Sequence, residues 1–220
     1  MGDKRLSVAT SAGGVSAVLL RGDDDRALAV LAHGAGAPLA SPFMVGIAQA
    51  LPPLGVATLR FNFPYMEKGG RRAPDRPPLL LETWRAAFSL AVERADGMPV
   101  FAGGKSMGGR IASMAVAEGM PAAGLVFLGY PLHPPGRPDK LRDEHLAAIT
   151  VPMLWLQGSR DTFAQPDLLD TVVGRLGDRA QLVVVEGGDH SFKVAGGSRD
   201  GRVIAAGLAP VVADFCLGQT

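Results

Sequence analysis

From about residue 27 onward, short apolar runs alternate with longer stretches whose apolar residues recur at helical spacing. No other feature limits the fold of this chain as strongly. Residues 27–32, 56–61, 99–102, 124–128, 151–156 and 181–185 read as strands. Residues 42–51, 79–94, 107–118, 166–173 and a last stripe from Val203 to Phe215 read as helices. Strands that take turns with helices are joined by crossovers. The pattern therefore predicts an α/β fold: a mostly parallel central sheet with helices on both faces. Pro42, following Ser41, suits the first turn of its helix. An earlier run, 15–20, is separated from 27–32 by a polar turn, and the two are expected to pair as a hairpin. In sheets of this kind ligands bind beyond the carboxyl ends of the strands. The loops after Ala32, Phe61, Ala102, Leu128, Leu156 and Val185 are thus the ones that can carry chemistry.

Composition removes several other classes. The chain has 220 residues, 47% hydrophobic and 20% charged, which excludes disorder and predicts one domain over residues 1–220. A net charge of +1 offers no overall positive field for nucleic acid. The single cysteine, Cys216, can build neither an internal disulfide nor a thiolate metal site. With no apolar leader and no run of about 20 apolar residues, the expectation is a cytoplasmic protein without a membrane or nucleic-acid partner. A second copy of the chain is the one macromolecular partner considered.

The sharpest local signal follows the run 99–102. Gly104-Lys105-Ser106-Met107-Gly108 sits between a buried strand and a helix, with glycines two before and two after a serine. A strand that turns abruptly into a helix strains the serine backbone and brings neighbouring chains close. Glycine at those two positions leaves the room. The hydroxyl then stands above the sheet, and the Met107 N–H at the helix start can donate to an oxyanion. Gly104-Lys105-Ser106 also resembles the end of a phosphate-binding loop. That loop needs a glycine where Pro99 stands, and free backbone N–H groups where the strand runs, so this reading is rejected.

A serine nucleophile needs a base, and the base needs an orienting group. Of the four histidines, His190 lies in the loop after the last strand. His145 sits in a charged stretch and reads as a solvated helix residue. His133 follows a strand and is a candidate pocket residue. Asp161, after the strand 151–156, is at a carboxyl strand end and is preferred as the orienting acid. Asp189 adjoins His190, but neighbouring side chains on an extended loop point apart. His33-Gly34-Ala35-Gly36 follows residues 27–32, where a second oxyanion donor is expected from the Ala35 N–H. His33 itself is expected to brace that turn rather than transfer protons.

These segments, in this order, resemble the α/β-hydrolase superfamily. More narrowly they are similar to its small dienelactone-hydrolase-like branch, which includes the hydrolase-like domain of a chromatin NSL-complex subunit. Arg60-Phe61-Asn62-Phe63-Pro64-Tyr65 adds to the likeness. The resemblance implies a sheet of about seven to eight strands and little or no lid. It implies Ser106 as nucleophile, His190 as base and acid, and Asp161 as orienter, with Ala35 and Met107 forming the oxyanion hole. Asn62, Tyr65 and His133 are candidate substrate contacts. The implied function is a serine hydrolase acting on an ester or thioester of a small soluble acid, of carboxylesterase or thioesterase type, with no metal or organic cofactor. A peptidase or amidase on the same residues, and a non-catalytic interaction module on the same fold, are the alternatives. True dienelactone hydrolases carry a cysteine where this chain has Ser106, so their substrate does not transfer. Lys105 is an unusual cation beside a nucleophile; strand alternation points it away from the hydroxyl. Were it to face the site, it or the Arg71–Arg72 loop would select anionic substrates.

Overall fold

A computed structural model of the chain describes residues 2–69 and 72–219. Among the described residues eight strands form one sheet in the order β1-β2-β4-β3-β5-β6-β7-β8. From β3 outward every neighbour is parallel: β3 (Ala27–Ala32) lies between β4 (Val56–Phe61) and β5 (Val100–Lys105). Beyond β5 come β6 (Leu125–Leu128), β7 (Met153–Gly158) and β8 (Ala180–Val185). β1 (Lys4–Thr10) and β2 (Gly13–Leu20) are antiparallel to each other, and β2 is antiparallel to β4.

The expected hairpin between residues 15–20 and 27–32 does not form: β2 turns back on β1 instead and docks on β4. β3 is buried along its whole length and takes the centre of the sheet, the place that suits an uninterrupted apolar run. β8 is likewise not the buried strand expected. It is the edge of the sheet, and Val184 is exposed.

Successive residues of the central strands alternate between two cores. Leu28, Val30, Leu59, Phe61, Phe127 and Trp155 pack against α3 (Pro77–Arg94), α4 (Met107–Ala117) and α5 (Pro166–Leu176). Ala29, Leu31, Phe101, Val126 and Leu154 pack against α1 (Pro42–Ala50) and α6 (Gly201–Gly218). A parallel sheet covered on both faces leaves only its strand ends open, which is why the site lies there. α2 (Pro64–Glu67) is a single turn in the loop after β4. Between β6 and β7 the chain forms only a 3-10 turn, Glu144–Ala148, and no cap domain.

Candidate active site

Ser106 sits at the junction of β5 and α4 with φ 52° and ψ −117°. A non-glycine residue there stores roughly 1–3 kcal/mol of strain and persists only when its surroundings hold it. The surroundings do so closely. A Cβ on Gly104 or on Gly108 would collide with the backbone of Ala32, and Gly104 has φ 145°. The Trp84 indole N–H donates to the Gly108 carbonyl at 3.0 Å, tying α3 to the start of α4.

The loops after β7 and β8 bring the other two residues to the serine. They interlock: Ser159 N–H donates to Val185 O, Arg160 N–H to Gly188 O, and Gly187 N–H to Ser159 Oγ. Ser106 Oγ lies 2.8 Å from His190 Nε2, and His190 Nδ1 lies 2.7 Å from Asp161 Oδ2. Asp161 is buried. Its Oδ1 accepts from Phe163 N–H at 2.8 Å, and its Oδ2 accepts from the Gln157 amide at 2.5 Å as well as from His190. With its proton on Nδ1 facing the carboxylate, the imidazole presents a bare Nε2 to the hydroxyl. The Phe163 ring stacks on it at 4.2 Å. Asp189 faces elsewhere: its Oδ1 accepts from the N–H groups of Ser191 and Lys193 and shapes its own turn.

The His33 turn stands opposite. Phe63 N–H donates to His33 Nε2 at 3.1 Å, which leaves the ring proton on Nδ1, 2.7 Å from Gly34 O. The Tyr65 hydroxyl donates to Ala35 O at 2.9 Å. In a trans peptide the C=O and N–H point to opposite sides, so holding Gly34 O directs the Ala35 N–H the other way. Neither that N–H nor the Met107 N–H is engaged by an acceptor among the described residues. Burial pulls the His33 imidazole down to about 4, against smaller upward pulls from Gly34 O and Glu67. The ring is therefore a neutral brace.

Ser106, His190, Gly34, Ala35 and Lys105 line one cavity of about 570 Å³, with Pro42, Phe43, Met44 and Phe163 as its apolar wall. Lys193 and Arg199 also line it, and no carboxylate does among the described residues. None of the three candidate substrate contacts is there. Asn62 is spent within the fold: its Oδ1 accepts from Leu39 N–H and its amide donates to Glu67. Tyr65 is buried and braces the Ala35 turn. His133 is buried, accepting from Gln165 N–H at 3.0 Å. The family-like run points to Asn62 and Tyr65, and its place after a strand to His133, but in the structure their polar atoms are engaged within the fold.

Lys105 differs from the expectation in the opposite sense. Its Cβ direction is set by the strand, yet four methylenes carry the ammonium round to the cavity, where it donates to His190 O at 2.5 Å. Burial lowers it to about 8, opposed by the charges of Asp161 and Asp189. Arg71 lies outside the described residues; the Arg72 guanidinium donates to Gly69 O and does not line the cavity. Gln157, Phe163, Phe43 and Phe192 were not singled out in the sequence. They are ordinary apolar or amide residues there, and only tertiary packing gives them roles. His145 is not the solvated helix residue expected but is bonded to Ser113 at 2.7 Å. That pair makes no second site, because the buried Ser113 hydroxyl donates to Arg110 O in its own helix.

An open parallel sheet, a strained serine at a strand-to-helix turn and a Ser–His–Asp hydrogen-bond chain define the α/β-hydrolase class. The chain belongs to that family: the alpha/beta hydrolase domain model matches residues 25–213. Among solved structures it is similar to a dienelactone hydrolase from Anabaena variabilis, with TM-score 0.78, 20% identity, and 99% of this chain and 97% of that one covered. It is also similar to an α/β serine hydrolase without lid from Xanthomonas campestris, with TM-score 0.74, 17% identity and coverage of 100% and 95%. An esterase from Pyrococcus furiosus matches with TM-score 0.77, 16% identity and coverage of 99% and 91%. These likenesses concern the fold.

Proposed function

We propose that the protein is a serine hydrolase that cleaves an ester or thioester of a small soluble acid. The observation that carries this reading is the unbroken chain from Ser106 through His190 to Asp161, at 2.8 and 2.7 Å, on the floor of an open cavity. Ser106 Oγ attacks the carbonyl carbon while His190 Nε2 takes the hydroxyl proton. The tetrahedral oxyanion is met by the N–H groups of Ala35 and Met107. His190 returns the proton to the leaving alcohol or thiol, and the carbonyl re-forms as an acyl ester on Ser106. Water, losing its proton to His190, then attacks that ester; the acid departs and Ser106 regains its proton. Asp161 holds the ring and offsets the positive charge it gains at each transfer.

The short connection between β6 and β7 favours small or accessible substrates, since among the described residues it forms no cap over the serine. The cationic lining from Lys193 and Arg199, without a facing carboxylate, favours acids that carry a second anionic group. A panel of activated esters, thioesters and amides, with neutral and dicarboxylic monoester members, tests both points. The expected result is turnover of esters or thioesters, stoichiometric fluorophosphonate labelling at Ser106, and loss of at least a thousandfold in kcat for Ser106→Ala. Absence of any adduct on folded protein would reject the reading in favour of a non-catalytic module. Preference for amides would make the protein a peptidase or amidase.

A further inference from the structure

Lys105 immediately precedes Ser106, and its ammonium occupies a slot built from three sides. It lies 5.4 Å from the ring centroid of Phe192 and 5.9 Å from that of Phe43. Those rings stack on each other at 5.9 Å, within 16° of parallel. On the third side is Gly129, where a Cβ would stand 2.9 Å from the ammonium nitrogen. Phe192 reaches this position through a left-handed backbone, φ 61°, which costs a non-glycine residue free energy. No carboxylate forms an ion pair with Lys105 among the described residues. Two aromatic faces and one carbonyl are its compensation for lost water.

The carbonyl belongs to His190. Among the described residues Lys105 is the only hydrogen-bond donor to it, and the His190 N–H has no acceptor. The backbone that carries the imidazole is therefore tied down at this residue by one side chain, 85 positions away in sequence. Strand β5 needs no such help, being paired on both sides.

We propose that Lys105 is a positioning residue whose ammonium anchors the His190 carbonyl, and so holds the imidazole on the line between Ser106 and Asp161. The inference rests on the hydrolase reading for its effect on rate, and on geometry alone for the anchor. A displacement of about 1 Å in a reacting group can cost on the order of a hundredfold in rate. Loss of the anchor should thus lower kcat and leave KM little changed.

The test uses Lys105→Cys, alkylated under native conditions in two ways. Aminoethylation restores a side chain of lysine's length with its ammonium; propylation gives the same length without a donor. Cys216 is fully buried and is spared. Both forms come from one folded protein, so a folding defect cannot separate them. Two quantities are read: kcat and KM for the ester found in the panel, and the downfield proton resonance of the His190 Nδ1–H bonded to Asp161. The propyl form should show kcat reduced about 10- to 100-fold with KM within about threefold, and a broadened or absent resonance. The aminoethyl form should recover both to within about threefold of wild type. Equal kcat and equally sharp resonances in the two forms would overturn the anchor. A raised KM with unchanged kcat would also overturn it, making Lys105 a substrate contact. If the wild type turns over nothing, the hydrolase reading fails, and the resonance comparison decides the anchor by the same outcomes.

Discussion

Acid should weaken this fold through His33 in particular. The ring is buried, accepts from Phe63 N–H and donates to Gly34 O, so a second proton would face an N–H donor at a fully buried position. Its folded-state value is about 4 against 6.5 for a free imidazole. Below pH 6.5 the unfolded chain binds a proton that the folded chain refuses, so stability falls with falling pH. The loss continues until about pH 4, where the folded form is protonated too. At pH 4.5, 2 units below the free value and half a unit above the folded one, linkage gives a loss of about 2–3 kcal/mol relative to pH 7. Urea unfolding of wild type and His33→Asn at both pH values isolates this group, since the carboxylates are common to both proteins. The variant should be weaker at pH 7 and lose about 2 kcal/mol less on acidification. It should also lose about 10- to 100-fold in kcat at pH 7, because the Ala35 N–H is no longer aimed. Parallel acid losses, within about 0.5 kcal/mol, would refute a neutral buried brace.

Three further substitutions probe the surroundings of His190 under the proposed mechanism. Asp161→Asn should cost about 10⁴-fold in kcat, because an amide cannot hold the tautomer with its proton on Nδ1, whereas Asp189→Asn should cost less than about tenfold; steady-state kinetics on one ester decides, and a reversal would move the orienting role to Asp189. Gln157→Leu removes the donor to Asp161 and strands the buried Tyr130 N–H, which now donates to Gln157 Oε1 at 2.8 Å. It should cost about 1–3 kcal/mol in urea unfolding and lower kcat, and unchanged stability would show that water replaces the amide.

The parallel part of the sheet was readable because its strands are buried on both faces and therefore continuous in apolar residues, as β3 and β6 show. β1 was not readable. Of its seven residues only Val8 is buried, and its pairing with β2 is specified by backbone rather than by pattern. That omission also produced the false hairpin between the second and third runs. At the site, Gly104, Ser106 and Gly108 are tied to each other by steric need at short range, so spacing revealed them. Asp161 and His190 could be placed because chain order and strand ends limit the choices. Asn62, Tyr65 and His133 share that location, and only the hydrogen bonds that occupy them distinguish brace from contact. For Lys105, alternation fixes where a side chain starts but not where a long one ends.

The interlock between the loops after β7 and β8 has a consequence for the order in which the molecule comes to life. The elbow and the His33 turn draw their partners from the middle of the sheet: β3 and β5 side by side, Phe63 and Tyr65 just after β4, and Trp84 of α3. Asp161 and His190 arrive only with the last two strands, and among the described residues β8 pairs with β7 alone. A chain stalled before that edge docks would hold Ser106 in its strained turn without the imidazole that bonds to it. Regain of the proposed activity during refolding thus reports docking of β7 and β8, while Trp84 fluorescence in a Trp155→Phe protein reports the central core separately; simultaneous recovery of the two signals would mean that centre and edge assemble together.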